Sequence, residues 1–374
     1  MIVGLLVLLG ALLSMIDNKS RYVYSYLILL LWFISSFTYG NADETIYISR
    51  YTNIEAWKRN TELLYYCLIK FANSIKLSYV QFKMLTSTIE LTLISSTVLK
   101  YSKRPNLVIL FYFVFPFLIS VAQMRNALAT SIFIYSLRFL IEDLHRESFI
   151  MKKFLTTNEL KYIIGIVIAA FVHTSALFWL LLLIPLKFNE KIVTISTIII
   201  SCSVAFLNPT TLNKILLLFG TSTRMSAYTS EAYAETRSLL LNGALFRTFL
   251  FAMIVFIFIL YLRSFGELSD EVYFLLKVNT ILLTVLPIIY FYTPEMYRAQ
   301  VDTSLLFYIV AFNTLSDKMN NGLKKITISL KDFIVFFILI FFAISCLYLL
   351  ILRGNYETVF YPIFHNNSFF EFFR

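Results

Sequence analysis

The chain has 374 residues, of which 59% are hydrophobic and 17% aromatic, and its mean hydropathy is +0.76. Only 14% of the residues are charged, so the composition excludes an ordinary soluble domain and indicates a polytopic membrane protein. The formal net charge of +10 does not predict a nucleic-acid partner, because the basic residues lie singly or in short groups between apolar segments, as topology and lipid headgroups require.

Apolar segments close to the roughly 20 residues that cross a bilayer recur along the whole chain. They leave no room for a soluble domain, so we interpret residues 1–374 as a single multi-pass, all-α membrane domain of about 10–12 transmembrane helices. The predicted spans cover residues 2–16, 22–39, 79–99, 106–122, 126–141, 192–207, 244–262, 272–292, 301–315 and 332–352.

The first segment, IVGLLVLLGALLSMI, has no basic region before it and no small-x-small cleavage site after it. Another apolar run follows at once. We therefore expect a membrane span here rather than a cleaved signal peptide.

The segment at residues 40–78 is predicted to be the first extracytoplasmic loop. It contains NADETIYISRYTN, in which Asp43, Tyr47, Arg50 and Tyr51 share one face if the segment is helical. A carboxylate flanked by phenols and a guanidinium is typical of a sugar-binding surface. The alternative is an interfacial helix whose tyrosines belong to an aromatic belt.

A second polar group lies further along the same loop. The stretch TELLYYCLIKF places Glu62 close to Tyr65 and Tyr66, at the mouth of an apolar run. These side chains are further candidates for contact with a polar substrate.

Arg125 lies in QMRNALATS, directly after an uncharged segment that is predicted to be a span. An arginine at the centre of a membrane helix costs about 2.5–3.5 kcal/mol on insertion scales, and less near the ends, so it normally has a partner. Residues RNALATS begin a helix, whose N-terminus also suits an anion. We predict a phosphate site at the outer membrane face; the alternative is that Arg125 pairs with an acidic residue or reaches the lipid headgroups.

Residues 160–186 are compatible with one membrane span or with a helical hairpin broken at His173. We favour the hairpin, because it returns Lys187 and Lys191 to the cytoplasm and keeps the later lysines inside, as the positive-inside rule prefers. Each arm is short for a full span, which is tolerated where broken backbone lines an enclosed or watery cavity. The hairpin, broken or re-entrant, would place His173 at the tip of a recess.

This topology places the N-terminus outside. It also places a second extracytoplasmic loop at residues 208–243. The basic residues of the first loop argue against this topology, because the positive-inside rule prefers them in the cytoplasm. The inner loops then carry mostly lysine, whereas much of the outer positive charge is arginine. Arginine binds phosphate oxygens through bidentate hydrogen bonds, which lysine cannot form. Beyond Arg125 and the first loop, which carries Arg50 and Arg59, the outer arginines are Arg224, Arg237, Arg247 and Arg298.

His173 is the only histidine in an apolar stretch. A histidine within the membrane is costly enough to suggest a function, and the alternative is that it is simply hydrogen-bonded at a helix break.

Several motifs are absent from the sequence. It contains no GxGxxG, P-loop, HExxH, GxSxG or Asp-x-Asp pair, and Cys67, Cys202 and Cys346 form no CxxC. We expect no cofactor and no metal, and we interpret the cysteines as packing residues.

Four short motifs together resemble the EpsG family of Wzy-like polysaccharide polymerases. They are the Asp43, Tyr47 and Tyr51 spacing, Glu62 with Tyr65, Arg125 in QMRNALA, and FVHTSA around His173. The resemblance covers roughly residues 38–186; beyond it only the number of spans and the outer arginines agree. One departure is Asn126, where the family often has glutamine after the arginine.

The resemblance implies a GT-C-like, multi-helical polymerase of undecaprenyl-diphosphate-linked oligosaccharides. Such an enzyme works at the outer face of the bacterial cytoplasmic membrane, in O-antigen, capsule or exopolysaccharide synthesis, and needs no metal. Its expected partners are the lipid-linked oligosaccharide, membrane lipid, and a chain-length regulator and a flippase of the same pathway.

The resemblance also suggests roles for individual residues. Arg125 and Arg298, with Arg224 or Arg247, would hold the leaving pyrophosphate and neutralise its charge. Asp43, the first choice, or Glu62 would orient or deprotonate the acceptor hydroxyl, with His173 as the competing base. The predicted glycan contacts are Tyr47, Arg50, Tyr51, Tyr65 and Asn126.

Four other functions remain open at the level of sequence. A ligase would finish a polymer rather than lengthen it, and a membrane acyltransferase would also use an intramembrane histidine. A lipid-linked glycan flippase or another transporter usually has two comparable halves, and the sequence has no internal repeat. A subunit that only positions other enzymes would not need outer loops rich in arginine and aromatic residues.

Overall fold

A computed structural model describes residues 2–57, 62–144, 155–206, 231–266, 268–291, 294–316 and 329–371. Within these ranges the chain is mainly helical, and an isolated bridge joins Thr38 to Asn367. Four described helical segments are long and apolar enough to cross a membrane: Pro105–Ala122, Leu241–Ser264, Asp270–Phe291 and Leu330–Leu352. The prediction of an all-α polytopic membrane protein is confirmed.

The helices follow the apolar segments of the sequence, and each of the ten predicted spans falls mainly on helix. Three further apolar helices are shorter than a full span: Ile2–Ile16, Arg21–Phe37 and Thr174–Lys187. The total number of membrane crossings stays a prediction. The α-helices are α1 Ile2–Ile16, α2 Arg21–Phe37, α3 Glu44–Thr52, α4 Leu63–Ser74, α5 Tyr79–Tyr101, α6 Pro105–Tyr112, α7 Leu118–Ala122, α8 Met124–Leu144, α9 Thr157–Val172, α10 Leu183–Lys187, α11 Glu190–Phe206, α12 Glu231–Ser264, α13 Asp270–Leu282, α14 Val285–Phe291, α15 Arg298–Val301, α16 Ser304–Asn313, α17 Leu330–Leu347, α18 Tyr361–His365 and α19 Ser368–Glu371.

The chain divides into two compact units. Unit 1 comprises Met1–Lys58, Leu64–Tyr135 and Ser304–Arg374, and unit 2 comprises Arg59–Leu63 and Ser136–Thr303. Helix α12 begins at Glu231, inside the predicted loop 208–243, and the part of that loop before Glu231 lies outside the described residues.

In unit 1, helices α2 and α5 are joined by side-chain hydrogen bonds. The Tyr24 hydroxyl lies 2.9 Å from Ser95 Oγ, and Trp32 donates to Thr88 Oγ1 at 2.9 Å. Such polar contacts between apolar helices hold the pair in register where the hydrophobic effect is weak.

Arg104 stabilises the C-terminal end of helix α16 in the same unit. It is fully buried and donates to the backbone carbonyls of Phe312, Leu315 and Ser316. The last carbonyls of a helix have no partner within it, so this side chain satisfies acceptors that the buried helix end would otherwise leave exposed to apolar surroundings.

The segment predicted as one span at residues 106–122 is interrupted. A single π-helical turn, Phe113–Phe117, lies between α6 and α7, and Phe115 has an extended backbone. The peptide bond between Phe115 and Pro116 is cis. Proline lacks the N–H that a continuous helix needs, which explains why the regular helix stops here.

Unit 2 contains the hairpin predicted from the charge pattern. Helix α9 ends at Val172, His173 has an extended backbone, and the 3-10 helix Thr174–Leu182 leads into α10. The Tyr162 hydroxyl donates to the Trp179 carbonyl at 2.7 Å.

An ion pair joins the far ends of the two hairpin arms. Lys187 Nζ lies 3.0 Å from Glu159 Oε2, and these residues lie 14 positions after and 14 before His173. The arms therefore run antiparallel with His173 at the tip, and the prediction of a broken hairpin is confirmed.

Gly165 allows helix α9 to approach Ser136 closely. A Cβ atom added to this glycine would lie 2.0 Å from Ser136 Oγ, which no side chain can occupy. Small residues commonly permit such contacts between membrane helices.

The rest of unit 2 is built on α11, α12 and α13. Asn279 donates to the Ala252 carbonyl at 3.0 Å, and the Thr197 hydroxyl donates to the Thr280 carbonyl at 3.3 Å. Helices α12 and α13 are in contact, and they run antiparallel because only a few residues separate Ser264 from Asp270.

Candidate functional site

Glu62 and His173, two separate candidates in the sequence, are hydrogen-bonded in unit 2. The Glu62 Oε1 atom lies 2.8 Å from His173 Nδ1, although the residues are 111 positions apart. Their side chains are only 4% and 12% exposed. A buried carboxylate at Nδ1 orients the imidazole and stabilises its protonated form, while Nε2 is the nitrogen that Glu62 does not engage.

The break in the hairpin explains how His173 reaches this position. Its N–H still bonds to the Ala169 carbonyl, but its extended backbone turns the chain out of the helix. Glu62 immediately precedes α4. Both side chains are thus held at the ends of regular elements rather than along a helix face.

Tyr47 and Arg125, also predicted separately, lie together in unit 1. The Arg125 guanidinium carbon is 5.5 Å from the centre of the Tyr47 ring, which is a cation–π contact. Tyr47 is buried on α3, and Arg125 is half-buried in the first turn of α8. Asn126 is the next residue of that turn and is also half-buried.

A buried ion pair that the sequence analysis missed fixes the start of α3. Lys83 Nζ lies 3.3 Å from Glu44 Oε1, and both residues are less than a tenth exposed. Lys83 also donates to the Thr38 carbonyl, and Glu44 accepts from the Gly40 N–H. Gly40 has a φ of 82°, in the left-handed region that favours glycine.

The signal for this pair was present in the sequence. Lys83 lies inside a predicted span, where a charge requires a partner, and Glu44 is the acidic residue that follows Asp43. Since the pair joins α3 to α5, it fixes the helix that carries Tyr47, one turn after Glu44.

A small polar pocket lies beside the ion pair. Its volume is only about 10 Å³, and its polar lining consists of Ser35, Asn41, Glu44, Tyr47, Tyr79 and Lys83. Asp43 is half-exposed at the N-terminus of α3 and makes no capping bond to that helix.

The remaining predicted glycan contacts are less accessible. The Tyr51 hydroxyl donates to the Leu77 carbonyl at 2.7 Å, and its ring packs against Phe82 at 5.1 Å. Tyr65 is 1% exposed and packs against the same phenylalanine. These contacts favour a packing role for both tyrosines, while Arg50 is half-buried in the last turn of α3.

Unit 2 contains two of the predicted pyrophosphate arginines, Arg247 and Arg298. The Arg247 guanidinium carbon lies 4.8 Å from the centre of the Tyr297 ring, and Arg298 is the next residue. Arg298 Nη1 is 3.9 Å from Glu295 Oε2. Arg224 lies outside the described residues.

The described part of the chain has no group of three His, Cys, Asp or Glu side chains arranged to hold a metal ion. That the protein needs no metal stays a prediction.

The model of the EpsG family matches residues 21–363, which is most of the chain. The chain belongs to the EpsG family. No curated protein and no solved structure matches it. The match extends well beyond residues 38–186, which carry the resemblance in the sequence, and the family suggests a role like that of a polysaccharide polymerase.

Within this EpsG family member, the described residues supply three kinds of chemical group. Unit 2 offers a histidine oriented by a carboxylate and, separately, an arginine stacked on a tyrosine. Unit 1 offers an arginine stacked on a tyrosine, next to a polar pocket. A histidine oriented by a carboxylate can act as a general base, and fixed guanidinium groups can stabilise an anion.

We expect Lys83→Met to destabilise this EpsG family protein by about 3–5 kcal/mol, because it leaves the buried Glu44 carboxylate without its counter-ion. The measurement is thermal unfolding of the purified protein in detergent, with the membrane level of the variant followed by blot. Lys100→Met, at the exposed end of the same helix, is the matched control and should change little.

The double variant Lys83→Met/Glu44→Leu should recover most of the lost stability, since replacing both members of a buried pair is often nearly neutral. A double variant that is no more stable than Lys83→Met would show that the pair itself is not what holds α3.

Proposed function

We propose that this protein is a polysaccharide polymerase. It transfers a glycan from an undecaprenyl-diphosphate-linked repeat unit onto a sugar hydroxyl of the next lipid-linked unit, at the outer face of the bacterial cytoplasmic membrane. The observation that carries the proposal is the Glu62–His173 hydrogen bond at the tip of a membrane hairpin in a member of the EpsG family.

In the proposed reaction His173 is the general base. Its Nε2 accepts the proton of the acceptor hydroxyl while the hydroxyl oxygen bonds to the anomeric carbon of the donor sugar. The bond between that carbon and the diphosphate oxygen breaks, and polyprenyl diphosphate leaves with the electron pair. Glu62 holds the ring in position and stabilises the imidazolium that forms.

This assignment changes the order of the candidate bases. Asp43 was the first choice from sequence because Tyr47 and Arg50 lie near it on the same helical face. Asp43 is half-exposed at the N-terminus of α3, whereas the Glu62 and His173 side chains are only 4% and 12% exposed and are bonded to each other. Burial and a fixed partner are the conditions under which a base acts with defined geometry.

In the proposed reaction the arginines stabilise the negative charge on the leaving diphosphate. Charge develops on the diphosphate as the glycosidic bond breaks, and guanidinium groups fixed in advance stabilise it without a metal. Tyr297 holds Arg247 in unit 2, and Tyr47 holds Arg125 in unit 1, so each guanidinium is oriented by an aromatic ring. In unit 2 we assign phosphate binding to Arg247 and Arg298, and in unit 1 we assign it separately to Arg125.

Deletion of the gene in its host, followed by a gel of the surface glycan, tests the proposal. We expect the ladder of polymer to disappear while material with one repeat unit remains, because ligation and export do not need the polymerase. Complementation with the wild-type gene should restore the ladder.

Two other outcomes would contradict the proposal. Loss of all surface glycan would indicate a flippase or a ligase. An unchanged ladder would indicate an acyltransferase, which would use the same histidine to deprotonate a hydroxyl.

A further inference from the structure

The polar pocket of unit 1 has a size and a charge that suit one small neutral group. Its volume of about 10 Å³ is close to the minimum that holds a water molecule. The Lys83 ammonium and the Glu44 carboxylate both line it, and they lie 3.3 Å apart, so their charges offset each other. A phosphate is too large for this space, and the paired charges favour neither an anion nor a cation, whereas a single hydroxyl group fits.

Asn41 supplies a hydrogen-bond acceptor to this pocket. It is one of the lining residues and is only 9% exposed. Its Oδ1 atom is buried and has no hydrogen-bond partner in the described part of the chain. Buried polar atoms in folded proteins are nearly always bonded, because an unpaired one is destabilising. The Asn41 amide therefore needs a donor that the described residues do not supply.

Lys83 supplies a hydrogen-bond donor to the same pocket. A lysine ammonium has three N–H groups, and two of them donate to the Thr38 carbonyl and to Glu44 Oε1. Among the described residues the third N–H has no acceptor, and the ammonium lies 5.7 Å from the centre of the Tyr79 ring. One available donor and one available acceptor match a hydroxyl group, whose oxygen accepts and whose hydrogen donates.

The backbone on both sides of Asn41 is held by the C-terminal segment of unit 1. The Tyr39 N–H donates to the Asn366 carbonyl at 3.2 Å. The Ala42 N–H donates to the Thr358 carbonyl at 3.1 Å, and the Asn41 carbonyl accepts from the first N–H of α3 at 3.1 Å. Because Asn41 is already held in place, a ligand binds without the cost of ordering this loop.

The pocket adjoins the proposed phosphate-binding arginine of unit 1. Tyr47 lines the pocket, and the centre of its ring is 5.5 Å from the Arg125 guanidinium carbon. Met124, which directly precedes Arg125, also lines the pocket. A sugar that is bonded to a diphosphate carries its hydroxyl groups on the same ring that bears the phosphate. A site for one hydroxyl beside a phosphate-binding guanidinium matches that arrangement.

We propose that Asn41 and Lys83 form a subsite for one hydroxyl group of the glycan, on the sugar that is bonded to the diphosphate. The inference rests on the proposed function and identifies residues that select this sugar. Lys83 donates to the hydroxyl oxygen, and the hydroxyl donates to Asn41 Oδ1. A sugar without this hydroxyl leaves both protein groups unpaired, and sites of this kind strongly reject such analogues. A bulkier group in its place, such as an acetamido group, does not fit the pocket.

Asn41→Leu tests the subsite, because leucine is similar in size to asparagine but cannot accept a hydrogen bond. Two probes are titrated by calorimetry into the full-length protein in detergent. One is the lipid-linked repeat unit isolated from membranes of the host, and the other is undecaprenyl diphosphate, which has no sugar. Asn53→Leu, the same change at an exposed asparagine directly after α3, is the matched control.

We expect Asn41→Leu to weaken binding of the repeat unit by about tenfold, as for a substrate hydroxyl that loses its acceptor. Binding of the sugar-free lipid should be unchanged. In the polymerisation assay KM should rise by a similar factor while kcat changes little. The unfolding temperature of the ligand-free variant should not fall, because leucine removes an unpaired buried acceptor. Asn41→Ala, which cannot overfill the pocket, should show the same difference between the two probes, and Asn53→Leu should show none.

Two results would overturn the inference. An equal loss of affinity for both lipids would show that Asn41 only supports the fold around Arg125. Unchanged affinity for the repeat unit would show that the pocket holds an ordered water molecule and takes no part in sugar binding.

The binding test does not depend on polymer formation, so its outcome is separable from the test of the polymerase. A loss confined to the repeat unit, in a protein whose deletion leaves the glycan ladder unchanged, would support the subsite and contradict the polymerase. Loss of the ladder together with unchanged binding by Asn41→Leu would support the polymerase and contradict the subsite.

Discussion

His173→Gln should lower the rate of polymer formation by about 10²–10⁴-fold, which is the usual contribution of a general base. Glutamine keeps hydrogen-bonding capacity toward Glu62 but cannot accept a proton from a sugar hydroxyl at neutral pH. The measurement is polymer formed per unit time by purified protein supplied with lipid-linked repeat units, with the amount of folded protein matched between samples. His365→Gln, which changes an exposed histidine in unit 1, is the control and should keep full activity.

Glu62→Gln should reduce the rate by on the order of 10²-fold, since the neutral amide no longer stabilises the imidazolium. The double variant should be little worse than His173→Gln alone, because groups that act as one unit give non-additive losses. Losses that multiply in the double variant would contradict a shared role. So would a His173→Gln protein with more than a tenth of the normal rate.

Asp43→Asn tests whether His173 or Asp43 is the general base. If His173 is the base, removing the carboxylate at the N-terminus of α3 should change the rate by less than about tenfold, as expected for a contact to substrate that is not a proton acceptor. A loss at Asp43 as large as that at His173 would return the role of base to Asp43.

The helices could be predicted because their cause is local, and the hairpin could be predicted from the distribution of lysines along the chain. Apolar runs of membrane length predict helices wherever they occur. The break at His173 followed from the lysines after it, which had to return to one side of the membrane. Pro116 also marked the interruption of its span in the sequence, although residues 106–122 were predicted as one helix.

The pairing of side chains could not be predicted, because it depends on how distant helices pack. Nothing in the sequence relates Glu62 to His173, which lie 111 residues apart, or joins Arg247 to Tyr297. Periodicity identified the helical face with Tyr47 and Tyr51, but it cannot show whether that face meets a substrate or the protein interior. The structure places Tyr51 against Phe82 and Leu77, so part of that face is a packing surface.

The missed Lys83–Glu44 pair shows where the sequence held more information than was used. A lysine in a span identifies a buried charge, and the partner must be an acidic residue within reach. The sequence could reduce the candidates to a few carboxylates, whereas only the fold shows that Glu44, rather than Asp43 beside it, turns inward.

Arg125→Lys should be nearly as damaging as Arg125→Ala, with kcat/KM lowered by about 10–100-fold in both, as for loss of charge-assisted hydrogen bonds. Lysine keeps the positive charge but lacks the planar group that stacks on Tyr47 and contacts two phosphate oxygens at once. The same polymerisation assay measures the effect. Arg138→Lys, the same change on the same helix, is the matched control.

Two substitutions of Tyr47 test whether Arg125 depends on stacking against the aromatic ring or only on its positive charge. Tyr47→Phe retains the ring, so it should keep most of the activity, whereas Tyr47→Leu leaves Arg125 without its aromatic surface and should approach Arg125→Lys. If Tyr47→Phe is as inactive as Tyr47→Leu, the hydroxyl rather than the ring is what matters, and Tyr47 would be a glycan contact. If Arg125→Lys makes near-normal polymer, a point charge is sufficient, and two-pronged phosphate binding by Arg125 is excluded.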